Sequence, residues 1–279
     1  MDYFIFNGKF YPENTAVVNA GNRGLRFGDG LFETLRANQG EIEFLDEHLA
    51  RLWQGLAVLQ FQIPKHFSPD KLQEDIGNLL RKNGHVNLAR IRLTLFRGDG
   101  GLYDDINHTP GYLIQSWALP NDSGKWNSNG LVLGIYEEAK KSCDLLSNLK
   151  HNNFLPYVLA ALQAKKQKWN DALLLNTNGN ICDTSIANIF LIKDELIYTP
   201  ALTEGCIAGI MRKQVINHLN QLPVNVIETT LSIDDLVAAD EVFLTNSIYH
   251  IRWVQAVGDK KYGNQQTQKI YSTLFSTKN

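Results

Sequence analysis

A chain of 279 residues exceeds the usual size of one domain and can bury a large core, so two domains are expected. Its 27 lysines and arginines nearly balance 29 aspartates and glutamates, and the net charge of -2 gives no reason to expect a nucleic acid or an anionic membrane as partner. Cys143, Cys182 and Cys206 are odd in number and widely spaced, which argues against a disulfide framework or a zinc site. Such cysteines suit a reducing cytoplasm, and we expect no metal site. Because no apolar run is long enough to cross a bilayer, we also expect a soluble protein.

The first part of the chain predicts a small antiparallel sheet and two helices. Asn7-Gly8 between two apolar runs is typical of a hairpin. Apolar residues recur at helical spacing from Asp46 onward, and Ser68-Pro69 supplies the cap and first-turn proline of a second helix that ends near Gly84. The hairpin covers residues 3–11, and further strands are predicted over 31–37, 41–44, 88–96 and 111–118.

A polar, turn-forming segment over residues 120–130 predicts a linker between two domains, 1–119 and 131–279. Strands and helices alternate in the second domain, so the expected fold class is a mixture of α+β and α/β. We expect a small antiparallel N-terminal sheet followed by a larger mixed domain. Predicted strands lie near residues 131–136, 171–176, 187–192, 224–229, 240–245 and 252–257, and predicted helices near 153–168, 207–220 and 232–238.

The most informative stretch of the sequence is a glycine-bracketed acidic turn, Gly28-Asp29-Gly30. It follows Arg23 and Arg26 and leads directly into a predicted strand. Arginines beside a turn of this kind can bind anions, which indicates an anion-handling active site. Taken alone, most such triplets are ordinary turns.

Several motifs that define large enzyme classes are missing from the sequence. There is no H-E-x-x-H, no G-x-x-x-x-G-K-[ST], no G-x-G-x-x-G after a strand and no G-x-S-x-G. Metalloproteases, P-loop nucleotide hydrolases, Rossmann dinucleotide-binding proteins and α/β-hydrolases therefore lose support.

Lys150 is the candidate reactive residue, and it precedes a predicted helix. Its neighbours from Asn148 to Asn153 are polar with few charges, which suits an amine that is oriented and desolvated instead of ion-paired. Such a lysine can condense with a carbonyl group. A solvated surface charge is the alternative interpretation of the same residue.

Six ordered blocks resemble the class IV aminotransferases, which are pyridoxal-phosphate enzymes of fold type IV. This family contains D-amino acid aminotransferases, branched-chain aminotransferases and 4-amino-4-deoxychorismate lyase. The resemblance extends from Phe6-Asn7-Gly8 to about Val257 and implies the two-domain fold of that type. Its most specific blocks are Arg23–Arg36, His48–Leu52, Lys150–Asn153, Asp183–Phe190, Gly205–Arg212 and Asp240–Asn246.

The resemblance implies a role for each matching residue. Lys150 would form the Schiff base with pyridoxal 5'-phosphate and carry the proton between the substrate and the cofactor. The cofactor phosphate would be bound by Arg51 and by the helix start at Gly209, Ile210 and Met211, and Asn246 and Ser247 would complete the phosphate site.

Asp183 departs from the family pattern. The resemblance places a carboxylate against the pyridine nitrogen of the cofactor at this position, but family members usually have glutamate there. Aspartate is one methylene shorter, so the cofactor would sit closer, a water would intervene, or the nitrogen would be less firmly protonated. By itself Asp183, after Asn178-Gly179-Asn180, would be a turn residue.

Three arginines are candidates for binding a substrate carboxylate: Arg26, Arg92 and Arg97. Arg26 belongs to the block that borders the active site of the family, and Arg92 shares a strand face with Arg90. Arg97 matches an arginine of D-amino acid aminotransferases, although the histidine that follows in that pattern is absent. Salt bridges to Asp29, Glu33 or Asp99 are an open alternative for each.

The resemblance implies an enzyme that transfers an amino group between an amino acid and a 2-oxo acid, with D-amino acids favoured by the arginine-rich site. The lyase, which eliminates pyruvate from aminodeoxychorismate, is the closest alternative, and a branched-chain aminotransferase follows. A cofactor-free binding protein is the alternative from another class. The resemblance also implies a homodimer with active sites near the subunit interface, and small-molecule substrates.

Overall fold

The computed structural model describes residues 1–103, 106–222 and 224–275. These residues form two compact units. The first unit comprises Met1–Ser123 together with Lys150–Asn153, and the second comprises Gly124–Leu149 and the chain from Phe154 onward. Each unit is built around its own sheet.

The sheet of the first unit is antiparallel throughout. Its strands are β1 (Tyr3–Phe6), β2 (Lys9–Pro12), β3 (Gly30–Asn38), β4 (Glu41–Ile42), β5 (Leu88–Arg97) and β6 (Pro110–Ala118). They lie in the order β2-β1-β6-β5-β3-β4, and the long β3–β5 pair places Phe32 opposite Thr94 and Thr34 opposite Arg92. The predicted small antiparallel sheet is confirmed.

Three helices accompany this sheet: α1 (Arg23–Phe27), α2 (Leu45–Val58) and α3 (Pro69–Asn83). Leu49, Leu52 and Leu56 of α2 are buried, as their spacing predicts. In α3 the Ser68 hydroxyl accepts the N–H of Lys71 at 3.2 Å, so the predicted cap is present. Helix α1 was not predicted. Five residues are too few for a hydrophobic period.

The second unit contains a larger mixed sheet. Its strands are β7 (Leu131–Lys141), β8 (Asp171–Asn176), β9 (Ile181–Thr184), β10 (Asn188–Lys193), β11 (Leu196–Pro200), β12 (Val226–Thr229), β13 (Glu241–Asn246), β14 (His250–Val257) and β15 (Lys260–Lys261). The order is β12-β11-β10-β13-β14-β7-β8-β9, and β15 pairs with β14. The sheet contains parallel pairs such as β7–β8 and antiparallel pairs such as β10–β13, which confirms the mixed fold class.

The helices of this unit are α4 (Leu155–Gln167), α5 (Ile210–Leu219), α6 (Ile233–Ala238) and α7 (Gln265–Phe275). Strands β9, β11 and β15 and helix α7 were not predicted. Strand β9 contains an aspartate and covers only four residues, so its strand character comes from pairing with β8. Among the described residues, the helices are too short or too polar to span a membrane.

Candidate active site

Lys150 lies in a short segment, Lys150–Asn153, whose backbone pairs with the beginning of β3. The N–H of Phe32 donates to the carbonyl oxygen of Lys150 at 2.8 Å, and the N–H of Asn152 donates to the carbonyl oxygen of Gly30 at 2.9 Å. A Cβ on Gly30 would lie 2.1 Å from the Leu95 carbonyl oxygen, so only glycine fits here. The sheet of the first unit therefore fixes the position of the lysine.

The aromatic ring of Phe32 is close to two cationic side chains. The ammonium nitrogen of Lys150 is 4.5 Å from the ring centroid, and the guanidinium carbon of Arg92 is 3.9 Å from it. The sheet thus brings the candidate reactive amine and one candidate carboxylate-binding arginine to the same side chain.

Arg92 is half-buried, and burial, followed by repulsion from Arg90, lowers the pKa of its guanidinium. Its Nε donates to the Thr94 hydroxyl at 3.2 Å. Within the described part of the chain, no carboxylate forms a salt bridge with Arg92. A half-buried arginine that forms no salt bridge is stabilised when an anion binds beside it.

Arg51 is held by a buried carboxylate. Its Nε and Nη2 donate to the two oxygens of Glu33 at 2.8 Å and 2.5 Å, and His48 Nδ1 lies 2.8 Å from Glu33 Oε2. Burial alone would raise the pKa of Glu33, but the charge of Arg51 and the hydrogen bonds from His48 and Arg51 lower it to about 2. Glu33 is therefore an anion at neutral pH, and it orients the Arg51 guanidinium.

The other two candidate arginines differ in their surroundings. Arg97 is buried, and its Nε and that of Arg23 both donate to Asp29 Oδ2 at 2.9 Å. Arg26 is exposed and donates to the carbonyl oxygen of Gly100 at 3.2 Å. The guanidinium of Arg97 is thus engaged by Asp29, whereas that of Arg26 is accessible to solvent.

In the second unit, Asp183 lies at the centre of a buried polar cluster. Its side chain is 2% exposed and accepts hydrogen bonds from Tyr157 Oη at 2.8 Å, the N–H of Ile207 at 2.9 Å and Asn188 Nδ2 at 2.8 Å. The ammonium of Lys141 is 3.4 Å from Asp183 Oδ2. Burial raises the pKa of Asp183, and Lys141 opposes this most strongly.

Helix α5 begins immediately after this cluster. Asn188 Nδ2 donates both to Asp183 and to the carbonyl oxygen of Ile207, which ties the carboxylate to the loop before the helix. A Cβ on Gly209, the N-cap residue, would lie 1.9 Å from Asn188 Oδ1, so the close approach requires glycine. The first N–H groups of a helix, here those of Ile210 and Met211, have no acceptor within it and can bind an anion.

Asn246 and Ser247 lie where β13 ends and the turn to β14 begins. Asn246 Oδ1 accepts the N–H groups of Ile248 and Tyr249 at 3.0 Å and 2.8 Å, so its side chain closes this turn. Ser247 is within the turn and carries a hydroxyl.

Sequence reasoning missed Lys141 and Tyr157. Lys141 is the last residue of β7, a strand that was predicted to end near residue 136. Lys140 beside it is exposed while Lys141 is buried, but an irregularity of the strand between Tyr136 and Lys141 breaks the alternation that could have distinguished them. Tyr157 carried no sequence signal, because a tyrosine on a helix is usually a core residue.

The chain is similar to known proteins over almost its whole length. The family model for amino-transferase class IV matches residues 30–257. An aminodeoxychorismate lyase from Vibrio harveyi is 29% identical over 242 residues, which cover 86% of this chain and 87% of that protein. A branched-chain-amino-acid aminotransferase from Salmonella typhimurium is 27% identical, with 98% of this chain and 92% of that protein covered.

A solved structure has the same fold. The branched-chain aminotransferase from the archaeon Thermoproteus uzoniensis superimposes with a TM-score of 0.88 and covers 98% of this chain and 93% of that one, at 22% identity. Together with the family model, this confirms the expected fold and the expectation of an enzyme. The chain belongs to the class IV aminotransferase family, whose members use pyridoxal 5'-phosphate.

Proposed function

We propose that this enzyme is a transaminase, which moves an amino group between an amino acid and a 2-oxo acid with Lys150 as the reactive amine. The observation that carries the proposal is that Lys150 and Arg92 lie beside the same ring, at 4.5 Å and 3.9 Å from its centroid. An amino acid has a carboxylate next to its reacting carbon. Arg92 can bind the carboxylate while Lys150 acts at the neighbouring carbon.

The residues present fit the cofactor. Among the described residues Asp183 Oδ1 accepts one hydrogen bond, so it can accept another from the ring nitrogen. Arg51, the N–H groups of Ile210 and Met211 and the hydroxyl of Ser247 suit a phosphate, and Asn246 shapes the turn that presents Ser247. When bound, the cofactor would stabilise the electron pair that stays on the substrate α-carbon after its proton leaves. Lys150 Nζ takes and returns that proton.

Arg92, with Arg26 in support, is proposed to bind the substrate carboxylate. Arg92 lies on the same ring as Lys150, and Arg26 is exposed to incoming solutes. Arg97 is the weaker candidate, since its guanidinium is already paired with Asp29 at 2.9 Å. The proposed preference for D-amino acids rests on the arginines of this site. Because Arg97 is paired with Asp29, only Arg92 and Arg26 now support it.

Aminodeoxychorismate lyase is the second candidate function. It is favoured by the Vibrio harveyi relative of that name, which is 29% identical over 86% of this chain. A lyase would use the same Lys150 to remove the α-proton, but its substrate would lose a β-carbon leaving group.

One assay panel distinguishes these functions. The purified protein with added pyridoxal 5'-phosphate is offered D- and L-amino acids with pyruvate or 2-oxoglutarate, and aminodeoxychorismate in parallel. A transaminase releases the 2-oxo acid from the amino donor alone and converts the cofactor to its amine form. Pyruvate from aminodeoxychorismate without that conversion would instead establish the lyase. If borohydride reduction links no cofactor to Lys150, both candidates fail.

We also propose that the enzyme functions as a homodimer in the cytoplasm. Helix α4 exposes four apolar side chains, with Leu155 and Leu162 at 65% and 59% exposure beside Val158 and Leu159. Apolar faces of this kind are typical of protein interfaces. Light scattering should give twice the chain mass for the native protein and a smaller mass for Leu162→Glu, whereas Lys269→Glu, which changes an exposed residue of helix α7, should have no effect. A monomeric native protein would refute the dimer.

A further inference from the structure

The hydrogen-bond donors around Asp183 select one protonation state. Asn188 Nδ2, Tyr157 Oη and the N–H of Ile207 all donate to it, at 2.8 to 2.9 Å. An ionised carboxylate only accepts hydrogen bonds, whereas a carboxylic acid has to place one proton on an acceptor. The surroundings of Asp183 are therefore built for the anion.

Lys141 is enclosed in a complementary way. Its side chain is 7% exposed, and Nζ donates to the carbonyl oxygen of Ser147 at 3.2 Å, to Tyr157 Oη and to Asp183 Oδ2 at 3.4 Å. Three acceptors match the three N–H groups of an ammonium ion. A buried ammonium ion needs a nearby anion, and Asp183 supplies one.

The other titratable groups beside Asp183 do not provide a positive charge. These groups are Tyr157 of α4, Cys182 of β9 and Cys206, which precedes α5. Burial raises the pKa of Tyr157 and of Cys182 well above their ordinary values, and it raises the pKa of Cys206 to about 12. All three are neutral near pH 7. Arg212, which acts on Cys206, is itself paired with Glu228 at 2.6 Å.

We infer that Lys141 is a positioning residue that holds Asp183 as an anion and presents it in the state that keeps a proton on the ring nitrogen of the cofactor. This inference rests on the proposed function, which assigns Asp183 to that nitrogen. The family usually places a longer glutamate at this position. Here the carboxylate is 2% exposed, and in such a buried site an ion needs a fixed counter-charge.

The first test follows the carboxyl group in the full chain without cofactor. The protein is labelled with carbon-13 at the aspartate side-chain carboxyl, and the Asp183 signal is identified by its loss in Asp183→Asn. In the native protein this signal should be that of an ion at pH 7. In Lys141→Met its titration midpoint should rise, because the burial that raises the pKa is no longer opposed by the lysine charge. Lys141→Arg should restore the native midpoint, and Lys140→Met, which changes the exposed neighbour, should leave it unchanged.

Two results would overturn the inference: an Asp183 that is protonated at pH 7 in the native protein, or a midpoint that Lys141→Met leaves in place. If Lys141→Met does not fold, Lys141→Gln, which keeps two donors without the charge, replaces it. The measurement on the native protein remains decisive in either case.

The second test uses pyridoxal 5'-phosphate labelled with nitrogen-15 in its ring. In the native enzyme the nitrogen signal should be that of the protonated ring, and in Lys141→Met it should shift toward the unprotonated form. An unshifted ring signal despite a raised Asp183 midpoint would overturn the inference for the cofactor and would show that Asp183 does not contact the ring nitrogen. Failure of Lys150 to bind the cofactor is a separate result, which refutes the proposed function alone.

Discussion

Glu33 in the first unit and Asp183 in the second are both buried carboxylates beside a cation, and their pKa values are shifted in opposite directions. Glu33 in the first unit has a pKa lowered to about 2, whereas burial raises the pKa of Asp183 in the second. Both side chains are almost inaccessible, at 1% and 2% exposure. Burial therefore does not explain the difference.

The arrangement of the cation accounts for the contrast. Arg51 donates to both oxygens of Glu33, at 2.8 Å and 2.5 Å, and His48 adds a third contact. Asp183 has a single ammonium at 3.4 Å, and its other donors are neutral. A bidentate arginine outweighs the cost of burying the charge, while one distant lysine offsets only part of it. Glu33 is thus suited to holding Arg51 in place, and Asp183 is suited to accepting a further cation.

The largest effect on stability is expected for Glu33→Gln. This change removes the negative charge to which the guanidinium of Arg51, whose side chain is 11% exposed, donates two hydrogen bonds. We expect the free energy of unfolding to fall by about 3 kcal/mol or more, measured by denaturant unfolding of the cofactor-free protein. A loss below about 1 kcal/mol would mean that the pair contributes no more than a surface ion pair.

The pH dependence of stability should show the same ion pair. The pKa of Glu33 is lowered from 4.5 to about 2 on folding, so its stabilisation is complete above about pH 4.5 and is lost as the pH falls toward 2. This corresponds to about 3 kcal/mol. The free energies of unfolding of the native protein and of Glu33→Gln should therefore approach each other as the pH falls from 4.5 to 2. A difference that stays constant over this range would contradict the lowered pKa.

Asp183→Asn should affect stability less. Because burial raises the pKa of Asp183 above 3.8, the folded chain binds the proton more tightly, and this group lowers stability as the pH rises through that range. Near neutral pH we expect a smaller loss than for Glu33→Gln, because Lys141, which loses its anion in this variant, can release its proton when buried, whereas Arg51 cannot. Turnover in the presence of cofactor should fall strongly. A loss as large as that of Glu33→Gln would remove the distinction between the two carboxylates.

The smallest effect is expected for Glu74→Gln on α3, which serves as an exposed reference. Glu74 is 62% exposed and pairs with Lys71 at 3.3 Å. Such pairs contribute about 0.5 kcal/mol or less, and the same unfolding measurement should find little change. A larger loss would show that the effects of Glu33→Gln and Asp183→Asn cannot be attributed to the burial of these two side chains.

Much of the fold could be predicted from local patterns. Ser68 and Pro69 predicted the beginning of α3, and the spacing of Leu49, Leu52 and Leu56 predicted the buried face of α2. Helix α1 and strand β9 could not be predicted, because a five-residue helix and a four-residue strand are too short to carry a period.

The roles assigned to the site residues stay predictions, and the sequence left the partners of these residues open. Arg97 was a candidate for the substrate carboxylate, and only the folded chain brings it to Asp29, 68 positions away. Asp183 and Lys141 are likewise 42 positions apart. Contacts over such separations leave no local pattern.

The sequence by itself determined the family, most helices and strands, and the presence of a lysine in polar surroundings, because these depend on residue types at short spacing. Tertiary structure alone decided that Arg97 is paired with Asp29, and that Glu33 is bound by an arginine whereas Asp183 is bound by a lysine. It also decided that the backbone of Lys150 pairs with β3. The physical reason is that charge and burial depend on distances through space, which chain order does not specify.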